Sequence, residues 1–446
     1  MIIFWLALSE RKAFEMKKIT KLLLAIISVT IILVAFSVCA SATEAGFENF
    51  KYSGIYTAGQ FYDVDGTEWF ARYVEDAYNF AFFRGKSENL FDPGGLLTVG
   101  EAVTLVVRLN SIYQTGSADF KESVPYYTVY ADYALSHGII DHHYNYNATA
   151  TRALFAELVY NALPPETFSE INTIADYGIC DVVPSSSYGT AVYGLYRAGI
   201  LTGSDRYGTF FPDSSISRAE TCAVMVRLAD PATRVNTKLP THINAEVIFK
   251  RSSDAVFMLE TFDSDGASIR TASGFFISNT GLAVTNLHVF ENAASATATL
   301  FNGNVYTVRG VNDISTENNL ALFSIDANIS NLGYLLLADS DLVVAGNSVY
   351  ALGSPRDLIN SITDGIVSNI NRIVDESTFI QFTAPISFGS GGSPVLNSLG
   401  QVIGVASSSF SYGQNLNLAV PANFIKELKQ GKLITLKELL EITTES

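Results

Sequence analysis

The apolar positions of this chain follow three patterns. Lys17, Lys18 and Lys21 precede an uncharged, mostly apolar run from Leu22 to about Val38, which ends in Cys39-Ala40-Ser41-Ala42. From about residue 57 to residue 229, apolar residues recur at helical spacing, as in Ala219, Cys222, Ala223, Met225 and Val226. Such a stripe predicts the core face of an amphipathic helix. Beyond residue 242 the apolar runs are short and broken by turn signals such as Ser278-Asn279-Thr280-Gly281 and Phe301-Asn302-Gly303-Asn304. Strands of that length and spacing predict an all-β barrel or sandwich. Residues 230–242 are polar, bounded by Pro231 and Pro240 and without period, and are expected to be a linker.

The helical region repeats itself with a period of roughly fifty to sixty residues, a length typical of one supersecondary unit copied for stacking. The third copy reads Ala198-Gly199-Ile200-Leu201-Thr202-Gly203, then Phe210-Phe211-Pro212-Asp213, then Ile216-Ser217-Arg218-Ala219-Glu220. The first carries Phe61-Tyr62-Asp63-Val64, Phe91-Asp92-Pro93 and Thr98-Val99-Gly100-Glu101. The second shows Ser136-His137-Gly138-Ile139-Ile140 and Thr151-Arg152-Ala153-Leu154. Thr98 or Ser217 followed three residues later by Glu101 or Glu220 is a capping box at a helix start. The expected copies span residues 57–110, 116–164 and 172–229.

The basic, apolar and small-residue sections at the front form a secretory signal peptide. Residues 1–42 are therefore expected to be removed on export, with Met16 as a candidate start. The apolar run is also long enough for an uncleaved anchor, but the Ala-x-Ala site favours cleavage. Cleavage after Ala42 takes the net charge from −16 to −19, because five basic and two acidic residues leave. That acidity excludes nucleic acid as a partner. Of the 3 cysteines only Cys180 and Cys222 would remain, which excludes a disulfide-dense scaffold and leaves one bridge or two buried thiols. The adjacent His142 and His143 lack further ligands at metal-binding spacing and are read as a loop, so neither a metal nor a cofactor is expected.

The candidate chemistry lies in the second half. Thr285-Asn286-Leu287-His288-Val289 and Gly389-Ser390-Gly391-Gly392-Ser393-Pro394 supply a histidine after a strand and a serine in a glycine-rich turn. These are two parts of a Ser-His nucleophile system.

The repeats resemble the S-layer homology module, three copies of which form a pseudo-threefold helical prism that binds secondary cell-wall polysaccharide of Gram-positive bacteria. The resemblance implies that Arg152 and Arg218 reach grooves between copies and meet anionic sugar substituents, which a guanidinium fork suits. Val99 takes that place in the first copy. The protein would then be secreted and attached to the wall or surface layer.

Residues 243–430, from Ser273-Gly274-Phe275-Phe276 to Leu418-Ala419-Val420-Pro421, resemble the trypsin-like serine peptidases of the HtrA type, followed by a tail, 431–446. The resemblance implies two six-stranded barrels with the active site between them and a protein or peptide substrate. His288 would be the general base. Asn319 stands where the family has its aspartate, in Asn318-Asn319-Leu320-Ala321, and an Asp-to-Asn change in such a triad costs about 10⁴ in turnover. Glu317 would share a face with Asn319 in an extended segment and could replace that carboxylate. Ser390 is the expected nucleophile, within an oxyanion loop of Gly389, Gly391 and Gly392, although an ungapped match places Gly391 in the nucleophile slot. Ala384 would form the base of the substrate pocket, and Ala406, Ser407 and Ser408 its wall, favouring small or medium apolar side chains. The expected fold is a helical pseudo-trimer followed by a double β-barrel. The expected function is a wall-anchored serine endopeptidase with a weakened triad, or a pseudoprotease that keeps the barrel for binding.

Overall fold

The computed structural model describes residues 44–326, 332–354, 358–407 and 416–444. The expected signal peptide and Ser408 lie outside the described residues.

The first half contains three helix pairs: α1 (Ala71–Asn79) with α2 (Val99–Thr115), α3 (Thr128–Ser136) with α4 (Arg152–Ala162), and α5 (Gly189–Arg197) with α6 (Arg218–Ala229). Thr98 and Ser217 close reciprocal capping boxes with Glu101 and Glu220, while Thr151 caps α4 by accepting from the Leu154 N–H alone. A closed triangle of backbone bonds joins the pairs. Leu97 N–H donates to the Ile216 carbonyl at 3.2 Å, Ile216 N–H to Ala150 at 3.2 Å, and Ala150 N–H to Leu97 at 2.9 Å. The first N–H of each long helix, which has no partner within its own helix, donates to a neighbouring copy. Val99 bonds to Ala148, Arg152 to Ser214 and Arg218 to Gly95, each at 2.8 Å. No copy satisfies its own backbone, and one apolar core from Phe50 to Ala229 runs through all three.

The second half opens with α7 (Ala245–Ser252) and continues as two closed barrels. The first joins β1 (Val256–Phe262), β2 (Ser268–Phe276), β3 (Leu282–Asn286), β4 (Ser295–Leu300), β5 (Val305–Ser315) and β6 (Leu320–Ile325) in the order β1-β2-β3-β6-β5-β4. The second joins β7 (Ser348–Gly353), β8 (Ser361–Val374), β9 (Ser377–Phe382), β10 (Pro394–Leu396), β11 (Val402–Ser407) and β12 (Asn417–Pro421) in the order β10-β11-β12-β9-β8-β7. The architecture is the expected one: two closed six-stranded barrels follow the helical half.

Two connections are more tightly fastened than their composition suggests. Within residues 230–242, Arg234 donates to the Thr167 carbonyl at 2.7 Å and Thr237 N–H to Asn172 Oδ1 at 2.8 Å, and just beyond, Ile243 N–H reaches the Ser398 carbonyl at 2.8 Å. The segment is a strap lying along both halves. After α8 (Asn423–Glu427) the chain returns to the first barrel, where Ile434 and Val311 exchange both backbone bonds at 2.7 and 2.9 Å. Gly310, at φ 151°, permits that approach, since a Cβ there would lie 2.3 Å from the Ile434 carbonyl oxygen. Leu436 and Leu439 of α9 (Leu436–Thr444) then enter the first-barrel core. Cys180 and Cys222 are both free and buried, in different apolar clusters.

Leu436→Ala is expected to cost about 2–5 kcal/mol, the usual range for emptying a buried leucine site. Urea unfolding followed by circular dichroism measures it, and a change within error would show that α9 does not complete the barrel.

Candidate active site and wall-binding groove

β3 ends at Asn286, and a 3₁₀ turn, Leu287–Phe290, carries His288 to the barrel mouth. β6 is its hydrogen-bonded neighbour, with Asn286 paired to Leu320, so the turn before β6 reaches the same place. Asn319 closes that turn at φ 51°, a left-handed conformation that asparagine tolerates better than most side chains. Its carbonyl accepts from Leu287 N–H at 3.0 Å, and its Oδ1 accepts from His288 N–H at 3.0 Å. Residues 316–319 form a turn rather than an extended segment, and Glu317 is exposed. The shared face that would have let Glu317 substitute for the missing carboxylate is therefore absent.

The Asn319 amide is the ring's neighbour at Nδ1. A backbone N–H only donates, so the atom facing His288 N is the amide oxygen. The amide nitrogen then lies 2.9 Å from His288 Nδ1, against 3.3 Å for Oδ1. Either contact is to an uncharged amide, so Nδ1 lacks the carboxylate that stabilises the imidazolium in an aspartate triad. Burial pushes the His288 pKa below its ordinary 6.5, and the nearby Arg270 charge acts in the same direction against the Asn319 bond and Glu291. Arg270 also donates to the His288 carbonyl.

The serine loop is fastened to the first barrel at its glycines. Ser273 N–H donates to the Gly391 carbonyl at 2.9 Å, and Ser273 Oγ donates to the Gly389 carbonyl at 2.8 Å. Gly392 has φ 83°, and a Cβ on it would lie 2.2 Å from both the Ser273 carbonyl oxygen and Thr285 Oγ1. Only glycine fits there. Ser390 is buried, and its Oγ accepts from Ser387 N–H within the same turn at 3.3 Å. It lines a cavity of about 170 Å³ with Ala351, Gly353, Thr363, Ser387 and Ser393, all from the second half of the double barrel.

The expected pocket residues are buried among their own strands. Ala384 offers its carbonyl to Asn417 Nδ2 at 2.8 Å, and Ala406 exchanges backbone bonds with Ser393 and Gly392 at 2.8 and 2.9 Å. Ser407 is also buried. Sequence reasoning missed Ser273, whose hydroxyl ties β2 to the serine loop at Gly389, and Thr285, whose hydroxyl ties β3 to β2 at the Ser273 carbonyl. Their only signal was a small polar residue at a buried strand position.

Both expected groove arginines are buried. Arg152 Nε donates to the Phe210 carbonyl at 2.6 Å, its Nη1 bonds the Glu220 carboxylate, and it lies over the Phe210 ring at 5.3 Å. The other Glu220 oxygen is occupied by the capping box at Ser217 N, 2.9 Å away. Arg218 repeats this arrangement one copy on, donating to Phe91 O at 3.0 Å and Arg84 O at 2.8 Å. Asp63 and Asp181 correspond as well. Asp63 accepts from Phe91 and Asp92 N–H, and Asp181 from Phe210 and Phe211 N–H, all between 2.6 and 2.9 Å. A groove of about 360 Å³ opens beside Arg152, lined by Trp69, Thr202, Gly203, Ser204, Phe210 and Glu220 among others.

Residues 272–405 match the trypsin-like peptidase domain, and residues 60–103 and 181–222 match the S-layer homology domain. A serine protease of Bos taurus, HTR4, is 36% identical over 171 residues, which cover 37% of this chain and 34% of that one. The putative serine protease HhoB of Synechocystis is 35% identical over 158 residues, covering 34% of this chain and 37% of that one. The serine endoprotease of Yersinia pestis is 26% identical in its crystal structure, which covers 43% of this chain and 66% of its own, with a TM-score of 0.38. The chain spans about a third of the length of the curated relatives it matches. It carries S-layer homology domains followed by a trypsin-like peptidase domain, the region in which it is similar to these serine proteases.

Asn319→Asp is expected to raise the His288 pKa, because a carboxylate stabilises the imidazolium. In the unaltered chain the folded-state pKa lies below 6.5, so the unfolded chain binds the proton first and the stability contributed by this group falls as pH drops through that value. The substitution should reduce that loss. Histidine ring NMR titration reads both, and an unchanged His288 midpoint would remove Asn319 from the relay.

Proposed function

We propose that this chain is an exported serine endopeptidase held at the Gram-positive cell surface by its helical repeats, with a triad weakened at one member. His288 acts as general base, Asn319 orients it, and Ser390 attacks a peptide carbonyl, with Gly389, Gly391 and Gly392 shaping the loop around the developing oxyanion. The observation that carries the reading is the double hold of Asn319 on Leu287 and His288 at the mouth between two closed barrels. An amide in place of a carboxylate cannot stabilise the imidazolium that forms as Ser390 loses its proton, so turnover about 10⁴ below that of an aspartate triad is expected. Ala384, with Ala406, Ser407 and Ser408, is proposed to favour small or medium apolar substrate side chains, since none of the four carries a charge.

A second reading is a barrel that binds without cleaving. It is favoured by the bond that Ser390 Oγ accepts from Ser387 N–H, and by the Gly391 carbonyl bonded to Ser273. Fluorophosphonate labelling separates the two. The first reading expects slow labelling that Ser390→Ala abolishes and Asn319→Asp accelerates. Labelling that appears only in Gly391→Ser would establish the second.

Residues 57–229 are proposed to hold secondary wall polysaccharide, with Arg152 contributing its charge at the groove beside Trp69 and Arg218 at the equivalent position of the next copy. In co-sedimentation with purified wall, the Arg152→Ala, Arg218→Ala double variant of the full chain should lose at least ten-fold in binding, an effect of about 1.4 kcal/mol. Equal sedimentation of the unaltered chain with wall stripped of that polymer would refute the assignment.

A further inference from the structure

One loop, Thr202–Asp213, has two occupied faces. Its inner face supplies Thr202, Gly203, Ser204 and Phe210 to the Arg152 groove. Its outer face meets the peptidase domain. Arg251, on α7, donates to Asp205 Oδ2 and Thr209 Oγ1 at 2.8 Å each, contacts Cys180 Sγ at 3.1 Å, and lies over the Tyr207 ring at 4.9 Å. Tyr334 donates to Asp213 Oδ2 at 3.1 Å. Gln401, buried on β10–β11, points its amide nitrogen at the carbonyls of Tyr177, Ile179 and Cys180, each 3.3–3.4 Å away.

These contacts run directly into the groove. Cys180 precedes Asp181, whose carboxylate fixes the Phe210 and Phe211 N–H groups. The Phe210 carbonyl then takes Arg152 Nε. From the other side, Asp205 accepts from Tyr207 and Thr209 N–H at 2.9 and 3.1 Å, so the group Arg251 holds is the one that folds the loop tip. Three or fewer hydrogen-bonded steps separate the peptidase surface from the groove arginine along either route.

We infer that docking of the peptidase domain onto this loop preorganises the Arg152 groove, so that groove occupancy and domain docking are thermodynamically coupled. A ligand that binds the ordered groove tightens docking, and by reciprocity a loosened dock weakens the ligand. The inference about wall polysaccharide as that ligand rests on the proposed function. The coupling itself rests on the loop.

Trp69 provides a readout that needs no ligand. The chain has 2 tryptophans, Trp5 and Trp69, and only Trp69 remains in a chain begun at residue 43. It lines the groove and is 58% exposed. In that chain, Arg251→Ala should change the acrylamide quenching constant of Trp69, while Arg309→Ala, at an exposed position on β5, should leave it unaltered. In equilibrium binding of secondary wall polymer, Arg251→Ala should weaken affinity about five-fold or more, within the usual span of coupling between sites. Arg251→Lys, which keeps one charge but loses the fork, should fall between the two. Unaltered Trp69 quenching in a folded Arg251→Ala protein would overturn the inference. Failure of the unaltered chain to bind polymer, with the Trp69 response present, would overturn the wall-binding reading and leave the coupling standing.

Discussion

The helical half depends on the triangle of backbone bonds among Leu97, Ala150 and Ile216. Each helix pair is too short to enclose a core, and each long helix starts with donors it cannot satisfy. Closing the ring resolves both deficits, because every copy caps the next. The loops that lead into the ring are thereby fixed in space, and those loops form the grooves. Arg152 and Arg218 are buried for this reason: each extends from its own helix to a neighbouring copy's loop carbonyl. Val99 in the equivalent position has no guanidinium to make such a bridge, so the three junctions differ in chemistry while sharing one frame.

The peptidase half applies a similar constraint at closer range. Thr285 and Ser273 bring two strands of the first barrel against the serine loop, and Gly392 is the point where no side chain fits. His288 is three residues from Thr285, so the same packing places the ring. Two local features distinguish this region: an uncharged amide, Asn319, beside His288 Nδ1, and a serine loop in which Ser390 Oγ accepts from Ser387 N–H.

Much of this was legible in the sequence, and for identifiable reasons. The capping boxes at Thr98 and Ser217 announced two of the long helices, and the Phe-x-Pro words, with Thr151-Arg152-Ala153 and Ser217-Arg218-Ala219, announced the copies. Alternating short runs and Gly-rich turns announced the barrels. Asn319 was found from a three-residue word. Other features left no local trace. The turn at residues 316–319 overrode the extended reading of Glu317, since a left-handed Asn319 ends the strand geometry. The fastening of residues 230–242 depends on partners at Thr167 and Asn172, far away in the chain. The Arg251 contacts join residues 42 to 71 positions apart, beyond the reach of any periodicity.

The return of the chain to the first barrel has a bearing on the order of assembly. Ile434 and Leu436 follow the whole second barrel in sequence, yet they pair with β5 and fill the first core. Domains generally fold from the N-terminus during synthesis, but here the earlier barrel waits for the later one. A chain that ended before Ile434 would keep every strand of both barrels, yet lose the backbone partner of Val311 and two leucines of the first-barrel core.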